Sequence, residues 1–198
     1  MKTMDDTFVF VGYQLRKRGA QKFQGTMANH VNPLYIPKEE PWLSVFRSVS
    51  SGIPFFFSTE HELDQLIEIY RKNTEEKETL AIFRCAIFKD DIKSAYTEFY
   101  NDNEGNHLVR KSFEYAHNIV EPQVEYRALG FDVIATDMGG GFDSAIHTYP
   151  LCLTPLNVNG LLDSLDIAIK LRDYAGTEIP EHAPFSVWSI GLVLFTES

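Results

Sequence analysis

The chain has 198 residues, of which 44% are hydrophobic and 13% aromatic, so it can bury a sizeable core and lacks the composition of a disordered protein. Its formal net charge is −10, from 28 acidic and 18 basic residues, which disfavours binding to a phosphate backbone and favours a basic protein partner. The longest apolar stretches, at residues 8–11 and 191–195, are too short to cross a membrane, and residues 1–6 contain no signal-peptide core. We therefore expect a cytoplasmic protein with no nucleic-acid or membrane partner, folded as a single domain over residues 1–198.

The first half of the chain contains three segments with clear local patterns. β-branched and aromatic residues at 7–15 predict a strand. Glu60–Lys72 carries leucine, isoleucine and tyrosine at helical spacing, with acids in its first turn and basic residues in its last, and Ser58 or Thr59 can cap this helix. Leu80–Phe88 is mostly apolar and predicts a core strand.

The second half alternates between helical and strand patterns separated by glycine, asparagine and proline. Residues 90–118 predict a helix from Asp90 or Asp91 to about residue 100, a loop at 101–106 and a second helix at 108–118. A strand then follows at 124–137, which can break at Gly130, with a turn at 139–141 and another strand at 145–153. The chain ends with a helix from Asn157 or Asn159 to about residue 174 and a strand at 185–195. Strands near both ends of the chain favour an α+β fold, with helices packed on a mixed or mainly antiparallel sheet.

The two cysteines lie in apolar surroundings, Cys85 within residues 83–88 and Cys152 within residues 149–153. Thiols in a reducing compartment stay free, so we expect two buried structural cysteines. A disulfide between them is the alternative.

The sequence contains no strong motif for a catalytic nucleophile or a metal ion. The glycines at 139–141 could let the backbone approach a phosphate, but a flexible turn between strands is the favoured interpretation. His61 lacks the second histidine one helical turn away that a zinc-binding helix needs, and the six histidines are scattered. We expect no metal ion and, for the leading function below, no cofactor.

Three short elements occur in a suggestive order: Arg16, the sequence GIPFFFST at 52–59, and Gln123-Val124-Glu125. They resemble the arginine, serine-threonine and Gln-x-Glu elements of the ADP-ribosyltransferases. The resemblance implies that Arg16 would hold the pyrophosphate of NAD or its ribose, while Ser58 would shape the nicotinamide pocket. Glu125 would then hold a ribose hydroxyl as charge develops at the anomeric carbon.

This resemblance has two departures from the family pattern. Glu60 follows Thr59 where the family has a second serine, and Arg18 could take the role given to Arg16. The alternative interpretation is that Ser58 is a helix cap and Glu125 an ordinary acid on a strand.

The C-terminal third contains four short segments in series: LGFDV at 129–133, DSA at 143–145, NVNGLL at 157–162 and PEHAPF at 180–185. Together they resemble bacterial immunity proteins, which are encoded beside polymorphic or contact-dependent toxins. The resemblance implies a cytoplasmic inhibitor that binds a toxin domain and occludes it stoichiometrically, without catalysis. These segments contain no functional motif, so the resemblance identifies no contact residues.

Candidate toxin contacts come instead from the predicted loops. The acidic positions are Asp102, Glu104, Asp137 and Asp143, and the neighbouring aromatic and histidine positions are Tyr100, Phe142 and His147. Aromatic anchors among acids would suit a basic cleft, and ordinary solvated loops are the alternative. The sequence therefore predicts a toxin-binding immunity protein first and an ADP-ribosyltransferase-like NAD-dependent enzyme second. A generic ligand-binding or structural module comes third.

Overall fold

A computed structural model describes residues 7–17, 21–23, 26–28, 44–45, 48–53, 55–72, 80–100, 107–135, 143–146, 149 and 151–194. The strands in these ranges are β1 (Phe8–Lys17), β2 (Gln21–Phe23), β3 (Thr26–Ala28), β4 (Leu80–Phe88), β5 (Tyr96–Tyr100), β6 (Leu108–Ser112), β7 (Tyr126–Ala135), β8 (Asp143–Ser144) and β9 (Phe185–Val193). The α-helices are α1 (Glu60–Lys72) and α2 (Leu165–Glu178), and short 3-10 helices span Phe113–Asn118 and Pro180–His182.

Five of the strands form the central sheet, in the order β1-β4-β9-β7-β8, and every neighbouring pair is antiparallel. Two small antiparallel hairpins, β2-β3 and β5-β6, lie outside it. The predicted α+β fold with a mainly antiparallel sheet is confirmed. None of the helices in the described ranges is long and apolar enough to cross a membrane.

The sheet is buried on both faces, which explains why β4 and β9 are so apolar in sequence. Side chains alternate along each strand, so Phe83 and Cys85 share one face with Trp188 and pack against Phe56 and Phe113. Both helices cover the other face. Helix α1 packs near β1 and β4, and α2 packs near β7 and β9.

Several predicted elements are confirmed. Helix α1 and strand β4 have the predicted bounds, and β1 and β9 differ from prediction only at their ends. The expected break at Gly130 is a register shift between Ala128 and Gly130 in the pairing of β7 with β9, so the strand continues through it. Both cysteines are free, with Cys85 buried as predicted, whereas Cys152 is only half-buried.

The two helices predicted between residues 90 and 118 are wrong. Residues 89–94 form a turn, and the chain then forms the β5-β6 hairpin before the 3-10 helix. Asp91 does not cap a helix. Its carboxylate accepts a hydrogen bond from the Val187 amide at 2.8 Å and pairs with Arg172 of α2. The Asp91 side chain, which the local sequence predicts to be a helix cap, therefore makes a tertiary contact instead.

The predicted start of the last helix is also wrong. Asn157 organises a loop, because its Oδ1 accepts from the amides of Asn159 and Leu161 while its Nδ2 donates to the Leu129 carbonyl and to Asp163. Helix α2 consequently begins eight residues later than this asparagine and continues past Gly176.

The strand predicted at 145–153 is not present where the structure describes this segment. Strand β8 ends at Ser144, Ala145 and Ile146 form a turn, and residues 151–153 belong to no strand. The loop at 101–106 and the glycine turn at 139–141 lie outside the described residues.

Candidate functional site

A cavity of about 730 Å³ opens between the start of α1 and the segment that leads from the 3-10 helix to β7. Its volume lies within the range of small-ligand and side-chain pockets. Serine and threonine hydroxyls line one side, and Tyr115 with residues 118–123 lines the other. The two walls come from parts of the chain that are about sixty residues apart in sequence and are brought together only by the fold.

Glu62 holds the first wall together. Its Oε2 accepts from the amides of Ser58 at 2.8 Å and Thr59 at 3.0 Å, and from the hydroxyls of Ser50 and Thr59, both at 3.1 Å. Its Oε1 accepts from the amide of Ser50. One buried carboxylate therefore joins the 48–53 segment to the first turn of the helix.

These hydrogen bonds determine the charge of Glu62. Burial alone would raise the pKa of its carboxyl, but the donors from Ser50, Ser58 and Thr59 outweigh burial and hold the pKa below its ordinary value. The carboxylate is therefore ionised at neutral pH.

The same contacts form a capping box, since the hydroxyl of Thr59 in turn accepts from the Glu62 amide at 3.3 Å. The sequence analysis selected Ser58 and Thr59 as caps but missed Glu62. The pattern Thr-x-x-Glu at positions 59–62 was the signal that could have found it.

The second wall is fixed by Arg84 of β4. Its guanidinium donates to both carboxylate oxygens of Glu121, at 2.5 and 2.7 Å, and lies 4.6 Å from the ring centre of Tyr126 and 5.5 Å from that of Phe10. Burial would lower the pKa of Arg84, but the hydrogen bonds and charge of Glu121 raise it above its ordinary value. This segment has a second attachment, because the Tyr13 hydroxyl donates to the Pro122 carbonyl at 3.3 Å.

Lys111 stands behind the cavity. Its ammonium group donates to the Ser51 carbonyl at 2.6 Å and lies 6.0 Å from the ring centre of Tyr115. Burial raises the pKa of the Tyr115 hydroxyl well above its ordinary range, so this group stays neutral. Neither Arg84 nor Lys111 lines the cavity, and the charged residues among the described lining, Glu60 and Glu121, are both acidic.

Among the described residues that line the cavity there is no histidine or cysteine, and the hydroxyls of Ser50, Ser58 and Thr59 donate to the Glu62 carboxylate. Across the described ranges, no group of three or more histidine, cysteine, aspartate or glutamate residues is arranged to hold a metal ion.

The residues named by the ADP-ribosyltransferase resemblance do not line one cavity in the described part of the chain. Ser58 lines the cavity and bonds to Glu62. Arg16 is buried in the sheet, where its guanidinium donates to Gln14 and burial lowers its pKa. Glu125 is exposed and lies just before β7. Strand β7 is three positions away from β1 in the sheet, which corresponds to roughly 14 Å at the usual strand spacing.

Most of the predicted toxin contacts lie outside the described residues. Tyr100 is the last residue of β5 and Asp143 the first of β8. The remaining five residues, Asp102, Glu104, Asp137, Phe142 and His147, lie outside the described residues. These seven positions stay a prediction from sequence.

The four segments on which the sequence-based expectation of an immunity protein rests lie around β7. Phe131 and Leu162 exchange backbone hydrogen bonds of 2.8 and 3.0 Å, and the hydroxyl of Ser144 donates to the buried carboxylate of Asp132 at 2.6 Å. The start of β9 pairs with the end of β7, with Phe185 opposite Ala135. Segments spread over more than fifty residues of sequence thus form one connected unit.

Gly130 is the tightest point of this unit. Its φ is +142°, and a Cβ added there would lie 2.7 Å from the Leu162 carbonyl oxygen and 2.8 Å from the Leu161 Cβ. The 157–162 loop can therefore approach β7 only because residue 130 has no side chain.

Comparison of the chain with protein-family models, with curated proteins and with solved structures finds no match.

Proposed function

We propose that this protein is an immunity protein that binds a cognate bacterial toxin domain and neutralises it by stoichiometric occlusion. The observation that carries the proposal is the convergence of the four resembling segments on β7. Their hydrogen bonds and strand pairing make them one structural unit, so the likeness concerns a connected part of the fold.

The electrostatics support a basic partner. The chain has a net charge of −10, and of the described residues that line its 730 Å³ cavity, the charged ones are acidic. Opposite charge speeds the encounter with a basic toxin domain and disfavours wrong partners. The rigid antiparallel sheet supplies a scaffold whose loops can vary, as a specific inhibitor requires.

Rescue from toxicity tests the proposal. The C-terminal domain of the protein encoded immediately upstream is expressed in a sensitive bacterium with and without this chain. Restored growth and co-purification of a one-to-one complex are expected. Absence of rescue by folded protein, in a host where that domain is toxic, would refute the immunity role.

Charge reversal then tests the predicted loop contacts. Asp102→Lys with Glu104→Lys is expected to weaken the complex about tenfold or more and to change its dependence on salt, because close interfacial charges couple strongly. Glu178→Lys with Glu181→Lys is the matched control, since it reverses two exposed acids and Glu178 ends α2, where a positive charge is tolerated. A complex insensitive to the loop reversal would show that the contacts lie elsewhere.

A further inference from the structure

We propose that the cavity between α1 and the 118–123 segment receives a basic side chain, arginine or lysine, of the toxin domain; this inference rests on the proposed function. The cavity therefore becomes a specific contact site, separate from the loop residues selected from sequence.

The hydrogen bonds at the start of α1 disfavour an anionic ligand in this cavity. The first turn of a helix commonly binds anions through its free amides. Here the amides of Ser58 and Thr59 already donate to the ionised carboxylate of Glu62. The chain thus supplies its own anion at this helix start, and an anionic guest would meet a negative charge instead of free donors.

The charge that the cavity presents is acidic in the described part of the chain. Among the described residues that line it, the charged ones are Glu60 and Glu121. Glu121 is already paired with Arg84, whereas Lys111 lies outside the lining and donates to the Ser51 carbonyl. Glu60 is exposed at the cavity wall and is the carboxylate best placed to meet an incoming cation.

The cavity wall also limits the shape of the guest. Ile119, Val120 and Pro122 form an apolar part of the wall, and Val120 is 89% exposed. Arginine and lysine combine an apolar stem with a charged tip, so the stem can pack on these residues while the tip reaches Glu60. The amide side chains of Asn118 and Gln123 add acceptors. A basic side chain fits this combination better than a wholly polar metabolite.

The rigidity of the two walls also favours binding. The capping box holds one wall, and the Arg84–Glu121 pair with the Tyr13–Pro122 hydrogen bond holds the other. Because neither wall needs to be ordered on binding, little conformational entropy is lost when a side chain enters.

Binding of the purified toxin domain to three variants tests the inference. Glu60→Gln removes the exposed charge and is expected to weaken the complex about threefold to tenfold. Gln123→Trp places a bulky ring against the cavity from an exposed position and is expected to weaken the complex at least tenfold. Glu178→Gln, an equal loss of charge on α2, is the control and should leave affinity unchanged. Circular dichroism and the melting temperature check that every variant is folded.

The outcomes separate the two proposals. A tight wild-type complex that neither Glu60→Gln nor Gln123→Trp weakens would overturn the cavity as the contact site and leave the immunity role standing. If no complex forms, the immunity role fails and the toxin is no longer the source of the side chain.

A second titration applies to the full chain alone, with N-acetyl-arginine amide as the probe and followed by amide NMR shifts. Saturable shifts at Ser58, Thr59 and Gln123, weakened in Glu60→Gln and absent with N-acetyl-glutamate amide, would support a cation site. Equal responses to both probes would refute it.

Discussion

Replacing Glu62 with glutamine tests the hydrogen-bond network on which the cavity wall depends. The carboxylate accepts from three backbone amides, those of Ser50, Ser58 and Thr59. A glutamine can turn its carbonyl oxygen toward Ser58 and Thr59, but its NH₂ group then faces the Ser50 amide, donor against donor. The substitution therefore removes one charge-assisted hydrogen bond, weakens the others and leaves the Ser50 amide without its acceptor.

The expected cost follows from these losses. A hydrogen bond to a charged group contributes roughly 1.5–3 kcal/mol, so Glu62→Gln should lower the free energy of unfolding by about 2–3 kcal/mol. With a urea m-value of about 2 kcal/mol per M, the midpoint of unfolding falls by about 1 to 1.5 M. Asp64→Asn is the control, because Asp64 is an exposed acid of the same helix, and its change should stay within about 0.5 kcal/mol.

The pH dependence provides an independent check. The folded-state pKa of Glu62 lies below its ordinary value, so the unfolded chain binds its proton first as the pH falls. The stabilisation is therefore fully present above the unfolded pKa of about 4.3 and is lost as the pH falls through the lower folded pKa. Urea unfolding at pH 7, 5 and 3.5 should show the gap between wild type and Glu62→Gln shrinking only at the lowest pH. Equal midpoints at pH 7 would refute the network argument.

Three other predictions follow from single contacts. Gly130→Ala should lower the free energy of unfolding by about 2–4 kcal/mol in urea, because the positive φ and the close carbonyl leave no room for a Cβ; a neutral effect would contradict the packing of the 157–162 loop. Glu121→Gln should lower the free energy of unfolding by about 2 kcal/mol in the same assay, since Arg84 stays buried and charged without its partner. Combining Glu121→Gln with Arg84→Met removes that unpaired charge and should recover part of the loss. Burial raises the pKa of the Cys85 thiol to about 11, so iodoacetamide at pH 8 should label Cys152 first in the native protein and both thiols in urea. Early labelling of Cys85 in the native protein would refute its burial.

Local sequence predicted elements whose own pattern agrees with their tertiary surroundings. Glu60–Lys72 repeats its apolar residues at helical spacing with charges suited to each end, and burial of that apolar side then stabilises the same helix. Leu80–Phe88 is apolar apart from Arg84 because both faces of its strand are covered. The α+β class follows from such segments, since their order along the chain limits how they can pack.

Other segments could not be assigned from their own residues because a distant partner decides their conformation. Leu108–Ser112 forms a strand only where Tyr96–Tyr100 pairs with it, and its sequence fits a helix as well. Asp91 and Asn157 have side chains that commonly cap helices. Here the Asp91 carboxylate accepts from the Val187 amide, and the Asn157 amide group donates to the Leu129 carbonyl, so both hold turns against the sheet. Capping competes with such hydrogen bonds, and local sequence does not contain the distant donor or acceptor.

The cavity shows the same division. The sequence by itself determined the acidity of the chain and predicted Thr59 as a cap of α1, whereas the role of Glu62 in that cap was recognised only in the structure. The tertiary structure alone placed Glu121 opposite that helix, because Arg84 of β4 binds its carboxylate across 37 positions of sequence. A binding cavity depends on such long-range contacts, since its walls are joined by packing and charge pairing and share no local pattern.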